Sequence, residues 1–180
     1  MKIRAGFVSN SSSSSFVVLF PREPKNAIDV RDMLFNRGET FYANPYYDVK
    51  YSKEEGWSLE RVAETVWNDI CRQEKNNFER AKDILAGGWD EDAPDYHDYR
   101  DANNKMNWEA YNADRKLFAD KKLKEFFNTR KLKLQKLNNE PVDGGVLYCF
   151  SYADEDGSYG SALEHGGLFD NLKHIIISNH

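Results

Sequence analysis

The sequence lacks any long apolar run. No segment approaches the roughly 20 consecutive apolar residues that a membrane-spanning helix needs, and the opening Met1-Lys2-Ile3-Arg4 is not followed by the apolar core of a signal peptide. Cysteine is scarce: only Cys71 and Cys149 occur, both in apolar stretches and without a pairing motif. These absences predict a cytoplasmic protein with two buried, reduced thiols and no membrane contact.

An excess of positive charge is also absent. The formal net charge is -5 at pH 7, which does not favour a general nucleic-acid binder. Of the 180 residues, 40% are hydrophobic and 14% are aromatic, which is enough apolar material for one core. We therefore expect a single domain over residues 1–180.

Strands are predicted near both ends of the chain. Residues 16–20, 146–152 and 173–178 form short runs rich in β-branched and aromatic side chains, bounded by proline, glycine or polar residues. A polar turn and one helical turn are expected between the last two runs. The positions of these runs predict that N-terminal and C-terminal strands share one small, mostly antiparallel sheet.

Helices are predicted between these strands. Asn26 is a plausible cap for a short helix over residues 27–36, and apolar residues at three- and four-residue spacing predict one long helix from Ser58 to the Gly87-Gly88 pair. Asn107 begins a second long helix that extends to about residue 138. The expected fold class is α+β, with the sheet packed against these two long helices.

A serine run occupies residues 9–15 and is interrupted only by Asn10. A flexible linker is disfavoured, because little sequence precedes the run and an apolar strand follows it. Consecutive hydroxyls and amides can bind an anion such as phosphate, or they can close local turns; a disordered or modified segment also stays open. The candidate residues for binding a ligand or partner are Ser9, Asn10, Ser11, Ser12 and Ser13.

The same string carries a resemblance. Arg4, followed by Gly6-Phe7-Val8-Ser9-Asn10-Ser11-Ser12-Ser13-Ser14-Ser15-Phe16, resembles the opening of a scattered set of small uncharacterised bacterial and phage proteins, which diverge afterwards. It covers about the first 18 residues, a tenth of the chain. That set has no settled activity, so the resemblance implies a bacterial or phage context and carries over no catalytic residue.

Carboxylates and imidazoles are concentrated near the C-terminus. These side chains are ligands for divalent metals such as zinc or manganese, and they also serve as acids and bases in hydrolysis. The candidate metal ligands are Asp154, Asp156 and His165, and the candidate catalytic residues add Glu164 and His174 to these three. None of the spacings is a recognised metal motif, so a structural turn with ordinary surface histidines is the competing interpretation.

Residues 90–101 form an acidic, aromatic segment that precedes a basic stretch of the second long helix. The segment suits a basic partner. We favour pairing with the chain's own basic helix, because adjacent blocks of opposite charge have a short route to each other.

Two functions remain open at this stage. The first is binding of a macromolecular partner, with another protein as the expected kind and a phage factor directed at a host component as one version. The alternative is a small metal-dependent hydrolase or a nucleotide-binding protein, which would combine the serine run with residues 154–165. That alternative takes a divalent metal or a phosphate-containing small molecule, and the aromatic loops permit a homodimer. We expect the serine run to lie close to residues 154–165.

Overall fold

The computed structural model describes residues 13–35, 57–88, 90–128, 145–154 and 157–178. A short 3₁₀ helix, Tyr96–Tyr99, accompanies the strands and α-helices. The strands and α-helices are, in chain order, β1 (Ser13–Phe20), α1 (Ala27–Leu34), α2 (Leu59–Cys71), α3 (Phe78–Gly87), α4 (Trp108–Asn128), β2 (Val146–Ala153), α5 (Gly157–His165) and β3 (Lys173–Ser178). The predicted α+β class is confirmed.

The three strands form one antiparallel sheet in the order β2-β1-β3. Val17 in the middle of β1 lies opposite Cys149 of β2 and Ile175 of β3. The predicted sharing of one sheet by N-terminal and C-terminal strands is confirmed, and the N-terminal strand is central, between β2 and β3. β1 begins at Ser13, three residues before the predicted start, because Ser14 and Ser15 have strand partners on both sides. Pairing on two sides here outweighs local propensity.

Both faces of the sheet are buried. On one face, Phe16, Val18 and Phe20 pack against α1, α2, α5 and the segment that follows α5. On the other face, Val17 packs with residues of β2 and β3 against α3 and α4. Because neither face of β1 meets water over residues 16–20, this part of the strand is a continuous apolar run rather than an alternating one.

The predicted long helix from Ser58 to Gly87 is wrong as a single element, since it is divided at residues 72–77. Asn76 adopts a left-handed backbone with φ of 57°. The side chain of Asn77 then accepts a hydrogen bond from the Arg80 N–H and caps a new helix. α2 and α3 pack on opposite faces of the sheet, so the chain must leave one layer and enter the other between them.

The connector between α2 and α3 also covers the outer edge of β2. The Leu147 N–H donates to Asn76 Oδ1 at 2.9 Å, and the Asn76 N–H donates to the Leu147 carbonyl at 2.9 Å. The Cys149 N–H donates to Gln73 Oε1 at 2.8 Å. These bonds satisfy backbone groups that would otherwise form an open strand edge.

Two predicted helix caps are confirmed. Asn26 Oδ1 accepts a hydrogen bond from the Asp29 N–H at 2.9 Å, and Asn107 Oδ1 accepts one from the Ala110 N–H at 3.2 Å. The predicted extension of α4 to about residue 138 lies outside the described residues.

The two thiols differ in environment. Cys149 is buried in β2, and this burial raises its pKa to about 11. Cys71 is exposed at the end of α2, so the expectation of two buried thiols holds for Cys149 alone. Its position as the last residue of α2 explains the exposure of Cys71.

Thiol chemistry tests the burial of β2. In the folded protein, we expect Cys71 to react quickly with a chromogenic aromatic disulfide reagent and Cys149 to react only after unfolding, because the thiolate is the reactive species. Absorbance of the released thiolate counts the reactive groups, and Cys71→Ser assigns the fast one. Two fast thiols in the native protein would contradict this core.

Asn76 tests the covered edge of β2. Asn76→Gly keeps the left-handed backbone but removes the acceptor for the Leu147 N–H, so we expect a loss of about 1–2 kcal/mol in the free energy of unfolding. Asn104, which also has positive φ (63°), lies on an exposed turn and supplies the control. Asn104→Gly is expected to change stability by less than about 0.5 kcal/mol. Equal effects of the two substitutions in urea unfolding would contradict the role of Asn76.

Candidate functional site

The end of the serine run contacts the C-terminal acidic residues. The Ser14 hydroxyl donates a hydrogen bond to Glu164 Oε1 at 3.0 Å, in a buried position between β1 and α5. Glu164 Oε2 lies 3.4 Å from His165 Nε2, and the side chains are 0% and 26% exposed respectively. The expectation that the serine run lies close to residues 154–165 is thus met at Ser14.

The order of these three groups decides their chemistry. In serine hydrolases the imidazole lies between the hydroxyl and the carboxylate, so that it can take the hydroxyl proton. Here the carboxylate of Glu164 lies between Ser14 and His165. Ser14 is also buried, with its hydroxyl directed at α5 rather than at solvent. The contact therefore acts as a buried polar link that fixes α5 on the sheet.

The remaining predicted residues are more dispersed. His174 lies on β3 with Nδ1 3.0 Å from the Leu172 carbonyl and its ring 6.4 Å from the ring of Phe169, which is a structural environment. Asp154 follows β2 directly. Asp156 and the serine-run residues 9–12 lie outside the described residues.

Metal binding at the C-terminus stays a prediction. Within the described ranges, no group of three or more His, Cys, Asp or Glu side chains is arranged to hold a metal ion. The proposed ligand set includes Asp156, which is not among those residues.

A cleft of about 760 Å³ opens between the end of α3, the acidic segment and α4. Its walls combine carboxylates with rings: Asp90, Glu91, Asp95, Tyr96, His97 and Tyr111. A second, shallower cleft of about 540 Å³ lies beyond the 3₁₀ helix and is lined by residues 98–101 and 105–107. The acidic, aromatic segment therefore contributes residues to the walls of both clefts.

The chain's own cations bind on this side of the molecule. Arg115, which is buried, donates from Nε to the Ala86 carbonyl at 2.6 Å and from Nη2 to the Gly88 carbonyl. A cation at these carbonyls is favourable because a helix C-terminus carries partial negative charge. Sequence patterns do not reveal this role of Arg115; the Gly87-Gly88 pair marks only the helix end.

Lys122 makes the internal ion pairs. Its Nζ lies 2.9 Å from Asp90 Oδ2 and 3.6 Å from Asp92 Oδ2. Partial burial favours the neutral form of Asp90, but hydrogen bonds from Lys122 and from the Asp92 N–H outweigh it and lower the pKa of this carboxyl. Pairing of the acidic segment with the chain's own basic helix is thus confirmed for Asp90 and Asp92.

Other carboxylates of the segment form no ion pair within the described ranges, although Arg100 and Lys105 line the second cleft together with Asp98 and Asp101. Asp95 Oδ1 accepts from the His97 N–H at 2.9 Å, and Asp101 Oδ1 accepts from the N–H groups of Asn103 and Lys105. Among the residues that the structure describes, neither these two nor Glu91 or Asp98 forms an ion pair. Internal pairing therefore leaves a negative surface.

Exposed rings line the first cleft or contact its lining. Tyr111 contacts Tyr99 and Trp108, with ring centroids 5.4 and 6.0 Å apart, and so joins the two clefts. Trp108 is 60% exposed and Tyr96 is 42% exposed. We define the acidic-aromatic surface as Glu91, Asp95, Tyr96, Asp98, Asp101 and Trp108. The sequence does not predict that Trp108 belongs to this surface, because its position predicts only the first residue of a helix.

No protein-family model, curated protein or solved structure matches this chain. In the part of the chain that the structure describes, no helix is long and apolar enough to cross a membrane.

The Ser14–Glu164 link can be measured by a double-mutant cycle. Ser14→Ala and Glu164→Leu are each expected to lower the free energy of unfolding by about 1–3 kcal/mol, because each leaves a buried polar group without this partner. The double variant should lose less than the sum, with a coupling of about 1 kcal/mol. Urea unfolding of the four proteins gives the coupling, and strictly additive losses would show that the contact is energetically unimportant.

Proposed function

We propose that the protein acts by binding a basic segment of a protein partner on the acidic-aromatic surface, in the bacterial or phage setting that its N-terminal string implies. One observation carries this proposal. After Lys122 has paired with Asp90 and Asp92, the further carboxylates of Glu91, Asp95, Asp98 and Asp101 form no ion pair among the described residues, and they outnumber the two cations of the same stretch, Arg100 and Lys105.

The charge of the surface determines the kind of partner. Its carboxylates attract Lys and Arg side chains, whereas they repel phosphates and other anions. The exposed Trp108 ring adds a face on which a cation can lie, and the chain's own Arg100 lies over the Tyr96 ring in the same manner, 5.5 Å from its centre. Arg115 and Lys122 illustrate the same preference within the chain, since both are cations held at this side of the molecule.

The extent of the surface favours a peptide segment over a single small cation. One exposed ion pair contributes only about 0.2–1 kcal/mol, so useful affinity needs several contacts together. The two adjoining clefts, connected through Tyr99 and Tyr111, offer room for several side chains of one extended segment. Burial of exposed Trp and Tyr rings is the usual source of the larger contributions at such interfaces.

The hydrolase or nucleotide-binding alternative keeps one supporting observation, the contact of Ser14 with Glu164. As a metal-dependent hydrolase or nucleotide-binding protein, this alternative is the weaker proposal, because the Ser14 hydroxyl is buried and already bonded to a carboxylate, which repels a phosphate.

Titration with designed peptides tests the proposal. We expect a short Lys/Arg-rich peptide to bind the full chain, a matched Glu-rich peptide not to bind, and affinity to fall as salt is added, because exposed charges are screened. Glu91→Lys/Asp98→Lys is expected to weaken binding by about tenfold or more, and Trp108→Ala by a similar factor. Isothermal titration calorimetry provides the dissociation constants.

Matched variants control for general effects. Glu64→Lys makes the same kind of charge change on an exposed position of α2, which packs on the opposite face of the sheet. Leu117→Ala removes another exposed apolar side chain of α4. Both should bind like the unaltered protein. Absence of binding at low salt, or equal losses in the control variants, would overturn the proposal.

A further inference from the structure

The two edge strands of the sheet, β2 and β3, differ in what bonds to their outer backbone groups. The backbone groups of Leu147 and Cys149 point away from β1 and bond to the α2–α3 connector. A strand residue directs its N–H and C=O to the same side. Val17, which lies opposite Cys149, must therefore direct its groups towards β3, where it faces Ile175.

This alternation identifies the outer groups of β3. Lys173, Ile175 and Ile177 bond to β1, so the backbone N–H and C=O groups of His174, Ile176 and Ser178 face outwards. Within the described ranges, no backbone–backbone hydrogen bond reaches that outer side. As far as the described residues extend, β3 is thus an edge strand without the covering that β2 has.

The side chains of β3 do not block the pairing of another strand with this edge. Ile176 is 50% exposed, whereas the adjacent Ile177 is buried at 2%. The strand contains no proline, and its only charged residue is Lys173. The ammonium of Lys173 donates to the Phe126 carbonyl and lies 4.7 Å from the centre of the Phe126 ring, so it is directed at α4. Proteins usually block such an edge with a charge, a bulge or a proline.

We propose that β3 pairs with β3 of a second copy of this chain, antiparallel about a twofold axis. The register that places Ile176 opposite the partner's Ile176 also places His174 opposite the partner's Ser178. All outward-facing residues then fall in hydrogen-bonded pairs, which gives about six backbone hydrogen bonds. The two Ile176 side chains meet across the axis, and the two sheets join into one of six strands.

The strand itself favours a second copy over an unrelated peptide. Its outward residues are arranged symmetrically about Ile176 and carry no fixed charge, so self-pairing brings no like charges together. A foreign strand gains specificity from pockets beside the edge, but the two clefts described above are lined by residues 87–115 and by none of β3. The interface is independent of the acidic-aromatic surface.

Light scattering after size-exclusion chromatography tests the dimer on the full chain. We expect a mass of twice the chain mass, with dissociation on dilution. Ile176→Lys places two ammonium groups across the axis and should give a monomer. Ile28→Lys makes the same change at another exposed isoleucine, 63% exposed on α1, and should stay dimeric. A monomeric unaltered protein, or a dimer that survives Ile176→Lys, overturns the proposal; circular dichroism verifies that each variant is folded.

A crosslink tests the register without disturbing the fold. Hydrogen-bonded antiparallel partners have Cα atoms about 5.5 Å apart, within the range that a disulfide spans. On a Cys71→Ser background, Ile176→Cys should therefore give a disulfide-linked dimer on mild oxidation, while Ile28→Cys should not. Equal crosslinking at both positions, or none at position 176, overturns pairing centred on Ile176.

Discussion

The pairing of β1 with a strand on each side is the constraint on which the rest of the structure depends. β1 is hydrogen-bonded to β2 and β3, and both of its faces are covered, so Val17 and Val18 are each 0% exposed although they point in opposite directions. In this dry environment an unmade backbone bond would be costly. Both helical layers are therefore positioned by one short strand, and a change in its register would affect the two cores together.

A sheet that is covered on both faces forces the chain to cross between layers. The crossing that follows α2 passes the outer edge of β2, where Gln73 and Asn76 bond to the strand. This connector thus has two roles. It ends one helical layer, and its polar side chains form hydrogen bonds with the backbone groups at the edge of β2. No corresponding connector in the described residues reaches β3. The asymmetry between the two edges follows from where the chain crosses.

Local patterns predict much of this fold, and the failures have physical causes. The apolar runs place the three strands, and the Asn26 and Asn107 caps place two helix starts. The single helix from Ser58 was wrong because apolar spacing continues across residues 72–77, although α2 and α3 serve opposite faces. Two further features depend on partners more than a hundred residues away, namely the start of β1 at Ser13 and the Ser14–Glu164 contact. Local sequence preferences carry no information about such distant partners. The charge pairing of residues 90–101 was predictable because its partner follows directly in sequence.

The two proposed surfaces use different ends of α4. Trp108 of the acidic-aromatic surface is the first residue of this helix, and Phe126 lies beside Lys173 of β3 near its end. At about 1.5 Å per residue, these ends are roughly 27 Å apart. Pairing of two chains through β3 therefore leaves the acidic-aromatic surface of each chain accessible. A dimer would carry two such surfaces, and a partner with two basic segments would gain effective concentration from the first contact to the second. Ion pairs that are individually weak then suffice for binding, because the two surfaces of the dimer act together.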